Sequence, residues 1–145
     1  MKYLMIEISP THCNEIAELL EMGEIVFVNR LTGKILHHPD FDGIGMDNEE
    51  FYEEVLVELE ENLSDYWKIV KPSTRETFEI MENFTNSLAD TNKLKQKLIY
   101  ALTNKKPFAN FKFQVDNSGE YRDAWFEFRR VQIKNWVIEQ YNAQN

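Results

Sequence analysis

Within residues 105–136, the stretch "KPFANFKFQVDNSGEYRDAWFEFRRVQIKNW" constrains the fold more than any other part of the chain. Phe108, Phe111 and Val115 recur at intervals of three and four, as do Tyr121, Trp125 and Phe128. Side chains at those intervals share one face of an α-helix, so both segments predict amphipathic helices, broken at Asn117-Ser118-Gly119. Rings at helical spacing are how helices usually attach to a core, and that is their first reading. The same stretch interleaves its rings with Lys105, Lys106, Lys112, Arg122, Arg129 and Arg130. That is also the composition of a surface that stacks bases and contacts phosphates. An interaction surface here would consist of Lys112, Arg122, Trp125, Phe126, Arg129 and Arg130, and it requires Trp125 or Phe126 to face solvent.

Upstream, "KYLMIEI" is β-compatible, and Ser9-Pro10 offers an N-cap followed by proline at the first helical position. Ile16, Ala17, Leu19 and Leu20 give the next segment one apolar stripe, which Gly23 ends. In "EIVFVNRLTGKILHH" two β-branched runs flank a turn at Leu31-Thr32-Gly33, predicting a hairpin with Ile25, Phe27, Ile35 and His37 on its faces. "DNEEFYEEVLVELEENL" reads as a helix capped at Asp47, with acids in its first turn and Phe51, Val55, Leu56, Leu59 and Leu63 as its apolar face. "DYWKIVKP" reads as a short strand or extended segment. Ser73 and Glu76 form a capping box before a helix with Phe78, Met81, Phe84 and Leu88 on one stripe. A further helix from about Asn92 carries Leu94, Leu98, Ala101 and Leu102.

These elements predict an α+β fold: a small antiparallel sheet or hairpin near the N-terminus packed against several helices, with the C-terminal half mostly helical. The 145 residues suit a single domain spanning 1–145. The lone Cys13 cannot form an internal disulfide, and no cleavage pattern follows the apolar run that ends at Ser9-Pro10, so a cytoplasmic protein is expected. No apolar run approaches the roughly 20 residues that span a bilayer, so no membrane partner is expected.

Charge is divided unevenly along the chain. Residues 1–67 hold 3 Lys/Arg against 16 Asp/Glu, whereas residues 68–145 hold 13 against 9, within a net charge of -9. Between Lys34 and Lys68 there is no Lys or Arg at all. The ordinary consequence is attraction between the halves, with Arg129 and Arg130 paired to glutamates of the acidic helix, each exposed pair contributing about 0–1 kcal/mol. A pI of about 4.8 opposes nucleic-acid binding at long range.

Candidate chemistry is sparse. "HHPDFDGIGMD" brings His37, His38, Asp40, Asp42 and Asp47 close in sequence, donors suited to a divalent metal, but without the alternating oxygens and late glutamate of an EF-hand loop. A solvated turn is the simpler reading. His12 and Cys13 are adjacent and point apart on a helix, so they make no catalytic dyad, and no Gly-x-Ser-x-Gly elbow or phosphate-cradling glycine loop occurs.

"KPSTRETFEIMENFTNSLAD", "KPFANFK" and "YRDAWFEFRR", with "TGKIL" upstream, resemble the bacterial family known as uncharacterised protein family 0158. The resemblance runs from about Gly23 onward and is most specific from Ile69 to Arg130. Phe108, Phe111 and Lys112 match its Phe-x-x-Phe-Lys element; Trp125, Phe126, Phe128 and Arg129 match its Trp-aromatic-x-Phe-Arg element. The chain departs from the family pattern at Asn104-Lys105-Lys106-Pro107 and at Ala109 and Asn110. The resemblance brings no activity with it. The leading expectation is a non-enzymatic interaction or regulatory module without a cofactor, whose acidic surface around Asp40 to Asp65, or the edge of the aromatic helices, meets a protein partner. The alternatives are a small enzyme or nucleotide-handling protein whose site assembles in three dimensions, and nucleic-acid binding through the basic C-terminal half.

Overall fold

A computed structural model describes residues 10–40 and 50–143. The β-compatible run before Ser9, the Ser9 cap, Asp42 and the Asp47 cap lie outside them. The expected α+β class holds: among the described residues a three-stranded antiparallel sheet stands near the N-terminus, and the C-terminal half is helical. The chain divides into two compact units, one running to Lys71 and resuming at Ile133, the other Pro72–Gln132.

The first unit is built on the hairpin. α1 (Pro10–Glu21) ends where Gly23 takes φ +85°, a left-handed conformation that glycine adopts without a Cβ clash. β1 (Glu24–Asn29) then pairs with β2 (Ile35–Pro39), placing Phe27 opposite Leu36 and Val28 opposite Ile35. The turn is fixed by Asn29, whose side-chain oxygen accepts from Leu31 and Thr32 N–H at 2.9 Å each, and by Gly33 at φ +75°. β3 (Tyr66–Ile69) settles the extended segment as a strand on the other side of β1, with Val28 opposite Trp67.

Because side chains alternate along a strand, the sheet has two faces, and both are covered. Val26, Val28, Trp67 and Ile69 pack with Ile16, Ala17 and Leu20 of α1 and with Ile133, Val137 and Tyr141. Phe27, Leu36 and Tyr66 pack with Leu59 of α2 (Glu53–Asn62). Of the four expected face residues, Phe27 and Ile25 therefore lie on the α2 side, while Ile35 packs on the α1 side.

The expected apolar face of α2 is corrected at both ends. Leu59 is buried and Val55 and Leu56 are half-buried, but Phe51 is 84% exposed and Leu63 58%. Both fall in 3-10 turns, Glu50–Tyr52 and Leu63–Asp65, that flank the α-helix. The backbone leaves α-helical geometry at both junctions, with Tyr52 at φ -102°, ψ 13° and Asn62 at φ -130°, ψ 33°, and this turns those positions off the stripe.

The second unit is a helical cluster around aromatic rings. α3 (Thr74–Ser87) opens with the expected capping box: Ser73 Oγ accepts from Glu76 N–H at 3.2 Å, and Glu76 Oε1 accepts from Ser73 N–H at 3.3 Å. α4 (Lys93–Leu102) is capped by Asn92, whose side chain accepts from Leu94 N–H at 2.8 Å. α5 (Pro107–Asp116) has proline in its first turn and packs against α4. α6 (Tyr121–Ala143) follows the break at Asn117-Ser118-Gly119. Phe111 is fully buried, edge-on to Trp125 at 4.8 Å, and Phe84 meets the same indole at 5.2 Å.

α6 continues into the first unit, where Val137 and Tyr141 are buried against the sheet. The Val137 and Tyr141 positions of α6 are thereby occupied within the chain, while Ile138 between them stays 42% exposed. Trp136 Nε1 and Gln140 Nε2 both donate to Val70 O at 2.8 Å.

Candidate interaction surfaces

The helical spacing of the C-terminal rings leads mainly to the core. Trp125 is 5% exposed and belongs to the aromatic cluster, so it is not part of any surface. It occupies the inward position of α6 between Tyr121 and Phe128, both half-buried. Phe126 is half-buried, and its ring lies under two guanidinium groups of its own helix, Arg122 at 4.9 Å and Arg129 at 5.2 Å. The spacing of four and three puts all three on one face, where the ring's quadrupole attracts both cations. Arg122 Nε also meets Asp116 at 3.4 Å. Lys112 and Arg130 are exposed. This patch keeps its cations, but its rings face protein.

The histidines are engaged locally. His37 Nδ1 pairs with Glu24 Oε1 at 3.0 Å across the hairpin. His38 Nδ1 lies 2.7 Å from Pro39 O, and its ring is 5.5 Å from that of Phe27. Among the described residues no three His, Cys, Asp or Glu side chains gather closely enough to hold a metal ion. Cys13 is buried in α1, and that burial pushes its thiol pKa up, with Lys134 partly opposing. A thiol held protonated is a poor nucleophile.

α2 presents a different surface. Phe51, just before the helix, and Val57, two residues before buried Leu59 and 45% exposed, both face solvent in a run rich in glutamate. Glu50, Glu53, Leu56, Val57 and Glu60 line an open groove of about 580 Å³. Glu58 is occupied, accepting from Asn62 at 3.2 Å and from Tyr66 OH at 3.1 Å. Among the described residues Glu50, Glu53, Glu54, Glu60 and Glu61 form no ion pair with Lys or Arg. Glu54 with Glu58, and Glu58 with Glu61, are like charges four and three residues apart on α2, which costs a few tenths of a kcal/mol per pair.

Apolar spacing does not single out Tyr100 and Phe113, which are 71% and 63% exposed. Each lies two residues beyond a buried one, Leu98 and Phe111, and so on the opposite side of its helix. That displacement is itself a signal that these rings face water.

Among the described residues no helix is long and apolar enough to cross a membrane. A family model described as an uncharacterised protein family, UPF0158, matches residues 5–145. No curated protein and no solved structure matches the chain.

Proposed function

Since the chain belongs to uncharacterised protein family 0158, which brings no activity with it, its own surface chemistry must supply the reading; we propose that it is a non-enzymatic interaction module whose α2 face takes a basic, apolar segment of a partner protein. The observation that carries this is a groove in which Leu56 and Val57 are flanked by Glu50, Glu53 and Glu60, with Phe51, 84% exposed, next in sequence to Glu50. Large exposed apolar groups ringed by charge are typical of docking sites. The unpaired carboxylates set the sign of the partner: a segment carrying Lys or Arg relieves their mutual repulsion, while its apolar side chains cover Phe51 and Val57. We place this activity in the bacterial cytoplasm, the compartment that suits a single reduced, buried thiol.

The test is calorimetric titration of the full chain with a synthetic amphipathic helix built from lysine and leucine. The reading expects saturable binding that the Phe51→Ser, Val57→Ser double variant loses, with an unchanged melting temperature because both residues are exposed. Glu53→Gln with Glu60→Gln should weaken binding and flatten its salt dependence. Peptide binding indifferent to the Phe51 and Val57 changes would remove the α2 face as the site.

A further inference from the structure

The base-free stretch before Lys68 has a counterpart of opposite sign. Between Asp90 and Asp116 the chain contains six lysines and neither aspartate nor glutamate. These residues form α4, α5 and their connection. Lys95 is neutralised by Asp90 at 2.7 Å. Among the described residues the other five lysines form no ion pair.

The helices place these lysines beside exposed rings. In α4, Leu94, Leu98 and Ala101 enter the core, so Lys93, Lys97 and Tyr100, spaced by four and three, form one stripe facing solvent. In α5, Phe111 and Val115 enter the core and leave Lys112 and Phe113 outside. The connection adds exposed Lys105 and Lys106. Tyr100 and Phe113 are thus open rings among cations, unlike Trp125 in the core and Phe126 under its two arginines.

We propose that the solvent face of the α4–α5 hairpin binds single-stranded nucleic acid, with Tyr100 and Phe113 stacking on bases and Lys93, Lys97, Lys106 and Lys112 contacting phosphates. The inference is independent of the α2 reading. Charge complementarity selects a polyanion, and the rings narrow the choice. Every base has a π-face, so ring stacking is sequence-tolerant, but in a duplex those faces are already stacked on one another. Lysines on flexible stems suit a backbone of variable geometry. An acidic peptide would satisfy the lysines and leave the rings without a planar partner. The net charge of -9 repels a polyanion at long range, so binding is expected to be modest and confined to low salt.

The experiment is fluorescence anisotropy of a labelled oligouridylate of about 20 nucleotides titrated with the full chain, from about 20 to about 200 mM salt. Saturable binding that weakens with salt is expected. Tyr100→Ala with Phe113→Ala should lower affinity about tenfold or more at fixed salt while leaving the salt slope unchanged. Lys97→Gln with Lys112→Gln should reduce that slope, by about 0.7 for each phosphate no longer neutralised. Tyr100→Phe with Phe113→Tyr should bind as the parent does, which separates stacking from any effect on folding. The proposal is overturned by absence of saturable binding at the lowest salt, by affinity insensitive to loss of both rings, or by tighter binding of polyglutamate than of the oligonucleotide. The last result would assign the face to an acidic protein.

Discussion

Phe111 and Phe51 are the same residue type at apolar positions of two helices, and they have opposite fates. Phe111 has no exposed surface and meets Phe84 and Trp125 edge-on, whereas Phe51 is 84% exposed. Phe111→Ala should therefore destabilise its unit by about 3–5 kcal/mol, the cost of lost transfer energy plus a cavity. Phe51→Ala should change stability by no more than about 0.5 kcal/mol. Urea unfolding followed by near-ultraviolet circular dichroism separates the two. Spacing alone made both rings core; the departure from α-helical geometry at Glu50–Tyr52 separates them, and it is not written in the apolar pattern. A second residue-scale effect concerns pH. Burial raises the Cys13 thiol pKa and the Tyr66 phenol pKa; the bond to Glu58 adds to the second rise, and Asn29 and Lys134 oppose at their respective sites. Each group holds its proton more tightly folded than unfolded. Their contribution is complete below about pH 8.5, where the unfolded thiol is still mainly protonated, and it is lost as pH rises through the folded values. Urea midpoints should be level near neutrality and fall above about pH 9, and Cys13→Ala should moderate the fall. A midpoint that rises in that range would contradict the assignment.

Elements were legible where their determinants are local. The Ser73/Glu76 box needs only a spacing of three, and it forms with the expected reciprocal bonds at the head of α3. Ser73→Ala should cost about 1 kcal/mol, read as a lowered urea midpoint. Glu76→Ala should cost a similar or smaller amount, and the double variant less than the sum, because the two groups share the cap. Full additivity would mean that they act separately. The hairpin was equally local, since Asn29 and Gly33 specify its turn within five consecutive residues. β3 was legible only as extended chain, because its identity as a strand depends on β1, far upstream. The candidate surfaces divide in the same way. The α2 carboxylates could be counted from sequence, and Val57, two residues before Leu59, falls off the apolar stripe, but the exposure of Phe51, which lies on that stripe, could not be read. Trp125 failed as a surface residue because the stripe that made it conspicuous is the stripe that buries it.

At the scale of the molecule, α6 is the element whose role spacing could not assign. Its first half supplies Trp125 to the core of Pro72–Gln132, and its second half supplies Ile133, Val137 and Tyr141 to the sheet core of the other unit. Between Phe128 and Ile133 the stripe positions are Arg129 and Gln132, so the apolar spacing shows two separate runs, one for each core, and not the single helix that carries both. One consequence is that the first unit is discontinuous in sequence and depends on the end of the chain. A chain ending at Gln132 loses three buried side chains, each contributing roughly 1.5–3 kcal/mol, together with the Trp136 and Gln140 bonds to Val70 O. That sum is comparable with the about 5–15 kcal/mol by which a whole domain is stable. Hydrogen exchange read by mass spectrometry should show protection lost in β1, β2 and β3 of the truncated chain. Protection should persist in α3, α4 and α5, whose core loses no residue. If the strands stay protected, α1 and α2 suffice for the sheet. If α3 to α5 lose protection as well, the two cores fold as one cooperative system, and the division at Gln132 is spatial rather than energetic.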